Sequence, residues 1–366
     1  MSQTKAQLVS QVSDAQSNTT VGSNAGDSFT GTDATQNTLI GKDAGTAITS
    51  GDQNTAVGAF ALDALTTASY NTAFGRGALS ETTTGASNTA VGINALIFNT
   101  TASHNTAVGA NALNPNTTGA SNTAVGSEAL DANTTGTLNT SIGRESLSAN
   151  TTGIKNTAVG KSALQGNTTG DNNTAIGWDA LNANTTADFN VAVGNAALAL
   201  NTTGYSNTSI GYNALNANTT GLGNVALGQG SLSSNTTAND NTALGRISLT
   251  NNTTGTRNTA VGRGSLNANT TSHDNTAVGY FSLYSSTTGT KNTGLGGYAL
   301  QQNTTGNENV GTGYNALGAN TTGSNNIAVG TWALYASTTA SNSVAIGYNA
   351  LSSVTTGQQN VAVGHA

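Results

Sequence analysis

A single unit of 17 residues recurs along almost the whole chain, and it constrains the fold more than any other feature of the sequence. Asn54, Asn71, Asn88 and Asn105 are each separated by 17 residues, and the same spacing runs without insertion from 37 to 360. The consensus is N-T-A-V-G-x-x-A-L-x-x-N-T-T-G-x-x, whose positions we number from the first asparagine. A fixed period of this kind is typical of stacked repeats, because each unit contacts only its neighbours.

The residue types within the unit predict a β-solenoid rather than pairs of helices. Gly, Asn and Thr are poor helix formers, whereas Thr and Val favour strands and Asn and Gly favour turns. We therefore predict an all-β fold, a β-solenoid or β-roll of about 21 coils with 17-residue repeats. N-T-A-V would form one strand, A-L a second short strand, and N-T-T-G a turn or third strand. Residues 18–366 would form the solenoid rod, and residues 1–17 an N-terminal attachment or registration segment.

The substitution pattern of the strand predicts which side chains point inward. Positions 2 and 4 carry Thr, Val, Ile or Leu, and residues two apart share one face of a strand, so we predict that both are interior, together with Leu at position 9. Position 3, usually Ala, would then face outward. Uniform small residues on an outward face indicate close packing by another chain, and we predict a parallel homotrimer; the alternative is an exposed wall of alanines. The predicted oligomer face comprises Ala56, Ala90, Ala107, Ala124 and Ala158.

Two further patterns concern the polar residues of the unit. Asn at positions 1 and 12 is predicted to form ladders along the stack, with side-chain amides bonded between coils or to turn backbone. The N-T-T segment matches the N-glycosylation acceptor pattern, but we interpret it as turn chemistry. An open coil edge favours strand pairing, so we expect a partner at the end of the stack, end-to-end self-assembly, or a sequence that is a fragment of a longer chain.

The composition excludes several classes of function. Only 7% of the residues are charged, against roughly 25% in ordinary globular proteins. His104, His273 and His365 lie far apart in the repeat order, and no catalytic triad or phosphate-binding loop is present, so we predict no enzyme activity, no cofactor and no metal site. A net charge of −6 does not favour nucleic-acid binding, and no apolar run reaches the length of a membrane-spanning helix.

Several segments resemble known repeat proteins. NTAVGANALNPNTTGASNTAVGSEAL at 105–130 and its sister repeats are similar to the repeat arrays of tail-fibre and other virion proteins of marine bacteriophages, especially cyanophages, as is the opening MSQTKAQLV. SNSVAIG at 341–347 resembles the head repeats of trimeric autotransporter adhesins, which form a left-handed trimeric β-roll. The resemblance implies a structural fibre of a phage virion, located in the virion. The alternative is a bacterial adhesin or extracellular filament protein at the cell surface.

Large side chains concentrate at positions 6 and 7, where stacking would align them along one edge of the solenoid. Aromatic rings and arginines in a row suit sugar stacking or a partner surface, whereas the plainer alternative is a solvated turn. The predicted contacts to a host glycan or partner are Trp178, Tyr212, Tyr280, Tyr314, Trp332, Tyr348, Arg144, Arg246 and Arg263. A second alternative function is ice binding by Thr at positions 13 and 14, of which only one per coil would be displayed.

Overall fold

The computed structural model describes residues 14–30 and 33–365, and the predicted N-terminal segment therefore lies largely outside the described residues. Within these ranges the chain is all-β. The described residues include no candidate for a membrane-spanning helix. The chain is a parallel β-solenoid whose coils are 17 residues long, as the repeat predicts. It divides into two compact units, the first extending to Asp179 with Asn184–Thr186 and the second comprising Ala180–Ala183 and the residues from Ala187 onward.

Each coil contributes one three-residue strand at positions 2 to 4. The strands of the first unit are β1 (Thr19–Val21), β2 (Thr38–Ile40), β3 (Thr55–Val57), β4 (Thr72–Phe74), β5 (Thr89–Val91), β6 (Thr106–Val108), β7 (Thr123–Val125), β8 (Thr140–Ile142), β9 (Thr157–Val159) and β10 (Thr174–Ile176). Those of the second unit are β11 (Val191–Val193), β12 (Thr208–Ile210), β13 (Val225–Leu227), β14 (Thr242–Leu244), β15 (Thr259–Val261), β16 (Thr276–Val278), β17 (Thr293–Leu295), β18 (Val310–Thr312), β19 (Ile327–Val329), β20 (Val344–Ile346) and β21 (Val361–Val363).

Equivalent residues of successive coils lie opposite each other. In the first unit, Ala107 of β6 pairs with Ala90 of β5 and with Ala124 of β7, in parallel. In the second unit, Ala328 of β19 pairs in the same way with Ala345 of β20. Parallel in-register pairing follows from the invariant repeat length, because each coil returns the chain to the same point one strand spacing further on.

The strands face the opposite way to the prediction. The alanines at position 3 are fully buried within the chain itself, whereas positions 2 and 4 are partly exposed, as in β7. The predicted oligomer face is therefore wrong for every residue assigned to it, since none of them reaches the surface. These residues are Ala56, Ala90, Ala107, Ala124 and Ala158. Leu at position 9 is buried, as predicted.

A narrow interior explains why small residues occupy position 3. The Ser141 hydroxyl donates to the carbonyl of Ser146 at 2.8 Å, which places position 3 directly against position 8 of the same coil. In the first complete coil the large residue is Leu39 at position 3, and Gly45 replaces leucine at position 9. A Cβ at Gly45 would lie 2.8 Å from the Leu39 side chain. Positions 3 and 9 thus share one space, which the alternating strand pattern alone did not reveal.

Positions 8 and 9 do not form the predicted second strand. Leu130 adopts a φ of +53°, and Glu128 at position 7 a φ of +59°, and the same left-handed conformations recur in nearly every coil. Left-handed backbone is incompatible with a strand, so positions 6 to 11 turn tightly instead. Backbone hydrogen bonds still join the coils here, because Leu130 N–H donates to the Ser146 carbonyl of the next coil at 3.1 Å.

The predicted asparagine ladders are confirmed. At position 1, Asn122 N–H donates to the Asn105 side-chain oxygen at 2.9 Å, and its own side-chain oxygen accepts from Asn139 N–H at 3.0 Å. At position 12, the Asn133 amide donates to the Asn116 side-chain oxygen at 2.9 Å. These asparagines are buried, so the ladders satisfy polar groups that water does not reach.

Candidate functional site

The side chains at positions 6 and 7 form the edge surface, a name we use for these two positions throughout. They follow the glycine at position 5 and precede the buried residue at position 8, so the chain turns with both side chains outside the core. Backbone bonds stack this turn from coil to coil. Trp332 N–H donates to the Tyr314 carbonyl, and Tyr298 N–H to the Tyr280 carbonyl, each at 2.9 Å. Within each unit the equivalent side chains therefore lie in columns.

The second unit carries a continuous row of rings on the edge surface, which we call the aromatic ladder. Its members are Tyr280, Tyr298, Tyr314, Trp332, Tyr348 and His365. Neighbouring ring centroids are 5.1 to 6.4 Å apart, and all pairs except Tyr348 with His365 meet edge to face. Edge-to-face pairing is the geometry that aromatic quadrupoles favour, so the rings support each other while remaining partly exposed.

The structure brings together only some of the predicted contact residues. Tyr280, Tyr314, Trp332 and Tyr348 all belong to the aromatic ladder. Arg263 also reaches it, since its guanidinium carbon lies 5.7 Å from the centroid of the Tyr280 ring. That cation–π contact covers the beginning of the ladder and leaves the more C-terminal rings without a cation among the described residues.

The remaining predicted residues lie elsewhere. In the first unit, Trp178 is 56% exposed and contacts Lys161, whose Nζ lies 5.8 Å from the ring centroid. Arg144, also in the first unit, is held by Glu145 through Nη2 and Oε1 at 2.6 Å. In the second unit, Tyr212 and Arg246 are exposed on coils that precede the aromatic ladder.

A groove runs beside the edge surface, between positions 6 and 7 on one side and positions 10 and 11 on the other. Around the aromatic ladder its volume is about 480 Å³, and we call it the tyrosine groove. It is lined by Tyr314, Asn315, Trp332, Tyr335, Asn349, Ser352 and Ser353. A second groove of about 380 Å³ beside Tyr212 occupies the same repeat positions, so the groove arises from the repeat itself.

Tyr335 is the aromatic residue of the groove that was not predicted from the sequence. It occupies position 10, two residues beyond the buried position 8, and lies outside the two positions where large residues concentrate. Tyr335 is 44% exposed. A signal for it was present in the sequence, because Tyr284 occupies the same position and in the structure packs edge to face on Phe281 at 4.8 Å.

Electrostatics differ between this surface and the turn at position 17. At position 17, Arg257 Nε donates to Asp274 Oδ1 of the next coil at 2.7 Å, and Lys291 Nζ lies 3.4 Å from Glu308 Oε1. The hydrogen bonds from Arg257 and His273 lower the pKa of Asp274 to about 2. On the edge surface, desolvation and the neighbouring phenols Tyr280 and Tyr314 raise the pKa of Tyr298, so its ring stays neutral.

Within residues 14–30 and 33–365, no three metal-ligating side chains lie close enough together to hold a metal ion.

Comparison with known proteins adds no family assignment. No protein-family model matches the chain, and no curated protein matches it significantly.

Proposed function

We propose that this protein is a structural fibre of a phage virion, with a mechanical role and no enzyme activity, cofactor or nucleic-acid partner. The observation that supports a mechanical role is the unbroken stacking of identical coils in each unit. Backbone hydrogen bonds, in-register strands and buried asparagine ladders all repeat from coil to coil. Bonding repeated along one direction resists bending and stretching, because every coil is held by the same contacts as its neighbours.

Fractionation of the source culture tests this location. An antibody to the chain, applied to purified phage particles, cell envelopes and culture medium, should label the particles. Labelling of the cell envelope alone would instead favour the bacterial adhesin, and filaments in the medium would favour an extracellular filament protein.

The proposed fibre contacts host-surface glycans along the edge surface. Partly exposed rings in a fixed row support this proposal, since aromatic side chains combine an apolar face with polar edges suited to sugars. Binding of the intact protein to host cells, before and after enzymatic removal of surface polysaccharide, is the measurement. Unchanged binding after removal would count against glycan contact.

We also propose that the protein forms a homotrimer, through a face other than the alanines at position 3. The outward residues of the strands are at positions 2 and 4, and several are large apolar side chains, such as Ile142 and Ile176, each 40% exposed. Burial of this strand face between copies would remove apolar surface from water, which the alanines cannot do. End-to-end self-assembly is the other form of association that we propose.

Native mass spectrometry of the full chain tests the trimer. We expect a trimeric mass at micromolar concentration, and a monomer after Ile142→Lys and Ile176→Lys are introduced together. Thr118→Lys and Thr135→Lys, at exposed position 14, form the matched control and should leave the trimer intact. A monomeric mass of the unmodified chain would overturn this part of the proposal.

Ice binding is a second candidate, favoured by one observation. Because positions 2 and 4 of each strand face outward, the strands display Thr at position 2 and an aliphatic residue at position 4 in most coils, as in β5 to β7. Thr at position 14 is exposed, whereas the position 13 hydroxyl is used internally, since Thr117 Oγ1 donates to the Thr134 carbonyl at 3.1 Å. Thermal hysteresis of a concentrated solution is the test, and its absence would dismiss ice binding.

A further inference from the structure

We propose that the tyrosine groove is a binding site for a neutral oligosaccharide, with Trp332 and Tyr335 as its aromatic contacts. This inference rests on the glycan-contacting role proposed above and assigns it to one place and one class of sugar. The groove has a volume of about 480 Å³, within the range of roughly 300–1,000 Å³ found for small-molecule sites.

The first argument is the combination of rings that line the groove. Tyr314 and Trp332 are edge-to-face neighbours with centroids 6.4 Å apart, which fixes both rings on the side of the aromatic ladder. Tyr335 lines the same groove from position 10. Ligand sites are mostly apolar and aromatic, with a few polar groups that set orientation, and pyranose rings present both kinds of surface.

The second argument is the presence of polar groups that the fold itself does not use. Asn315 and Asn349 occupy position 7, and among the described residues their side-chain amides make no hydrogen bond. Asparagines in the core behave differently, since those at positions 1 and 12 are engaged in ladders. Two amides, together with the hydroxyl of Ser352, therefore supply donors and acceptors that sugar hydroxyls can satisfy.

The third argument concerns charge. Residues 309–365 contain no Asp, Glu, Lys or Arg, so neither the groove nor the coils around it carry a fixed side-chain charge. An acidic sugar would lose hydration here without gaining a cationic partner. The groove therefore favours neutral hexoses over sialylated or uronic acid sugars.

The related groove beside Tyr212 provides an internal control. It has a single aromatic side chain, and the amide of Asn216 is already used, because its Nδ2 donates to the Ala196 carbonyl at 2.9 Å. The second aromatic wall of the tyrosine groove is thus missing from it, although both grooves occupy the same repeat positions. Among the described residues Asn213 offers an unbonded side-chain amide at position 7, as Asn315 and Asn349 do, so the two grooves differ in their rings.

Tryptophan fluorescence tests the assignment directly. The chain has two tryptophans, so Trp178→Phe leaves Trp332 as the sole reporter in the full-length protein. We expect a saturable change in its emission with at least one of four neutral probes, namely cellohexaose, maltohexaose, chitohexaose and galactohexaose. An oligogalacturonate of the same length should bind at least about tenfold more weakly.

Substitutions in the groove distinguish binding at this site from a non-specific change in fluorescence. Tyr335→Ala and Asn349→Ala should each weaken binding at least about tenfold, while Tyr212→Ala leaves it unchanged. Circular dichroism must show that each variant keeps the fold, and Tyr335→Phe supplies a milder change if Tyr335→Ala unfolds. Absence of a saturable change with every neutral probe, equal binding of the acidic probe, or no effect of the groove variants would each overturn the assignment. None of these results would affect the fibre proposal, which is decided by fractionation.

Discussion

The glycine at position 5 is the residue most tightly constrained by the fold. At Gly126 the φ is +139°, a conformation that residues with a Cβ rarely adopt, and equivalent glycines have similar values. A Cβ on Gly126 would also lie 2.5 Å from the Gly143 carbonyl oxygen of the next coil. The glycine is therefore required both for its own backbone angle and for the close approach of its neighbour.

Gly126→Ala should destabilise the protein by about 2–4 kcal/mol, because it combines a strained backbone with a steric clash. The matched control is Gly136→Ala at position 15. A Cβ there would lie 2.5 Å from the Gly153 carbonyl oxygen and even closer to the Asn133 side-chain oxygen, so its steric clash is no milder. Its φ, however, lies outside the left-handed region, and Ala102 and Ala238 occupy the same repeat position. Chemical denaturation should show a much smaller loss for the control. Equal losses would mean that the backbone angle is not the deciding factor.

Asp131 is the carboxylate whose ionisation the fold opposes most clearly. Desolvation, with smaller contributions from Glu128 and Glu145, raises its pKa from 3.8 to about 6. The folded state therefore binds its proton more tightly than the unfolded state does. Ionised Asp131 lowers the stability of the fold above pH 6, and this penalty disappears as the pH falls from about 6 to below 3.8.

Asp131→Asn should accordingly raise the melting temperature at pH 8, because the amide occupies the same space without a charge. The gain should be modest, since the residue is partly exposed and water screens its charge. Asn114 occupies the equivalent position in a neighbouring coil, so the substitution is compatible with the repeat. Calorimetry from pH 8 to pH 3.5 checks the sign, and a gain that persisted at pH 3.5 would contradict this explanation.

At the scale of the structural elements, the two asparagine ladders meet at one acceptor in coils that carry Asn at both positions 1 and 12. The Gly136 carbonyl accepts from the Asn122 amide at 2.8 Å and from the Asn133 amide at 3.1 Å. One ladder follows the strand and the other follows the N-T-T turn, so this shared carbonyl connects the two sides of the coil. Polar groups thus specify a core that is too narrow for many large apolar side chains.

Asn122→Ala should cost about 1–3 kcal/mol, because it leaves the buried Asn139 N–H without its acceptor. Asn122→Ser should cost less. Ser343 occupies this position in another coil, where its hydroxyl accepts from Asn360 N–H at 3.3 Å. Hydrogen exchange of the Asn139 amide, measured together with the free energy of unfolding, distinguishes the two variants. Similar exchange in both would show that the side-chain acceptor does not protect that amide.

At the scale of the whole molecule, stability arises from contacts between neighbouring coils. Each coil forms hydrogen bonds with the coil before it and the coil after it. The stability of the fold therefore depends less on the number of repeats than on the continuity of their register. Deletion of residues 122–138 removes one complete repeat and joins Ser121 to Asn139, which restores the repeat order.

This deletion should leave the β circular-dichroism spectrum and the melting temperature nearly unchanged. Deletion of residues 122–129 is the control, because it leaves nine residues that cannot complete a coil and must be accommodated as a loop. The partial deletion should melt at a lower temperature than the complete one, since loop closure costs entropy and the ladders are interrupted. Equal melting temperatures would show that register is not what holds the coils together.

The fold class and the asparagine ladders were predictable from the sequence, but the direction of the side chains was not. A three-residue strand has only one residue on one face and two on the other, so alternation alone does not say which face is buried. Hydrophobicity favoured Thr and Val as the interior, yet the structure buries Ala and leaves a residue such as Ile346 40% exposed. The small volume inside the coil determines which face of the strand is buried, because position 3 lies against positions 8 and 9.

The candidate site was predictable only in part, for a related reason. Repetition at positions 6 and 7 placed Tyr314 and Trp332 on one edge, and the structure agrees. Tyr335 was missed because its contribution depends on how the turn at positions 6 to 11 folds back. Left-handed conformations at positions 7 and 9 shape that turn, and residues such as leucine give no sequence signal for them.

The sequence by itself determined the period, the parallel register and the columns of equivalent side chains, because a repeat without insertions allows only one way to stack. Tertiary structure alone decided which residues fill the interior and where the groove opens. Both depend on the separation between the strand and the turn of one coil. That separation is set by backbone angles and packing volume, which hydrophobic patterning does not encode.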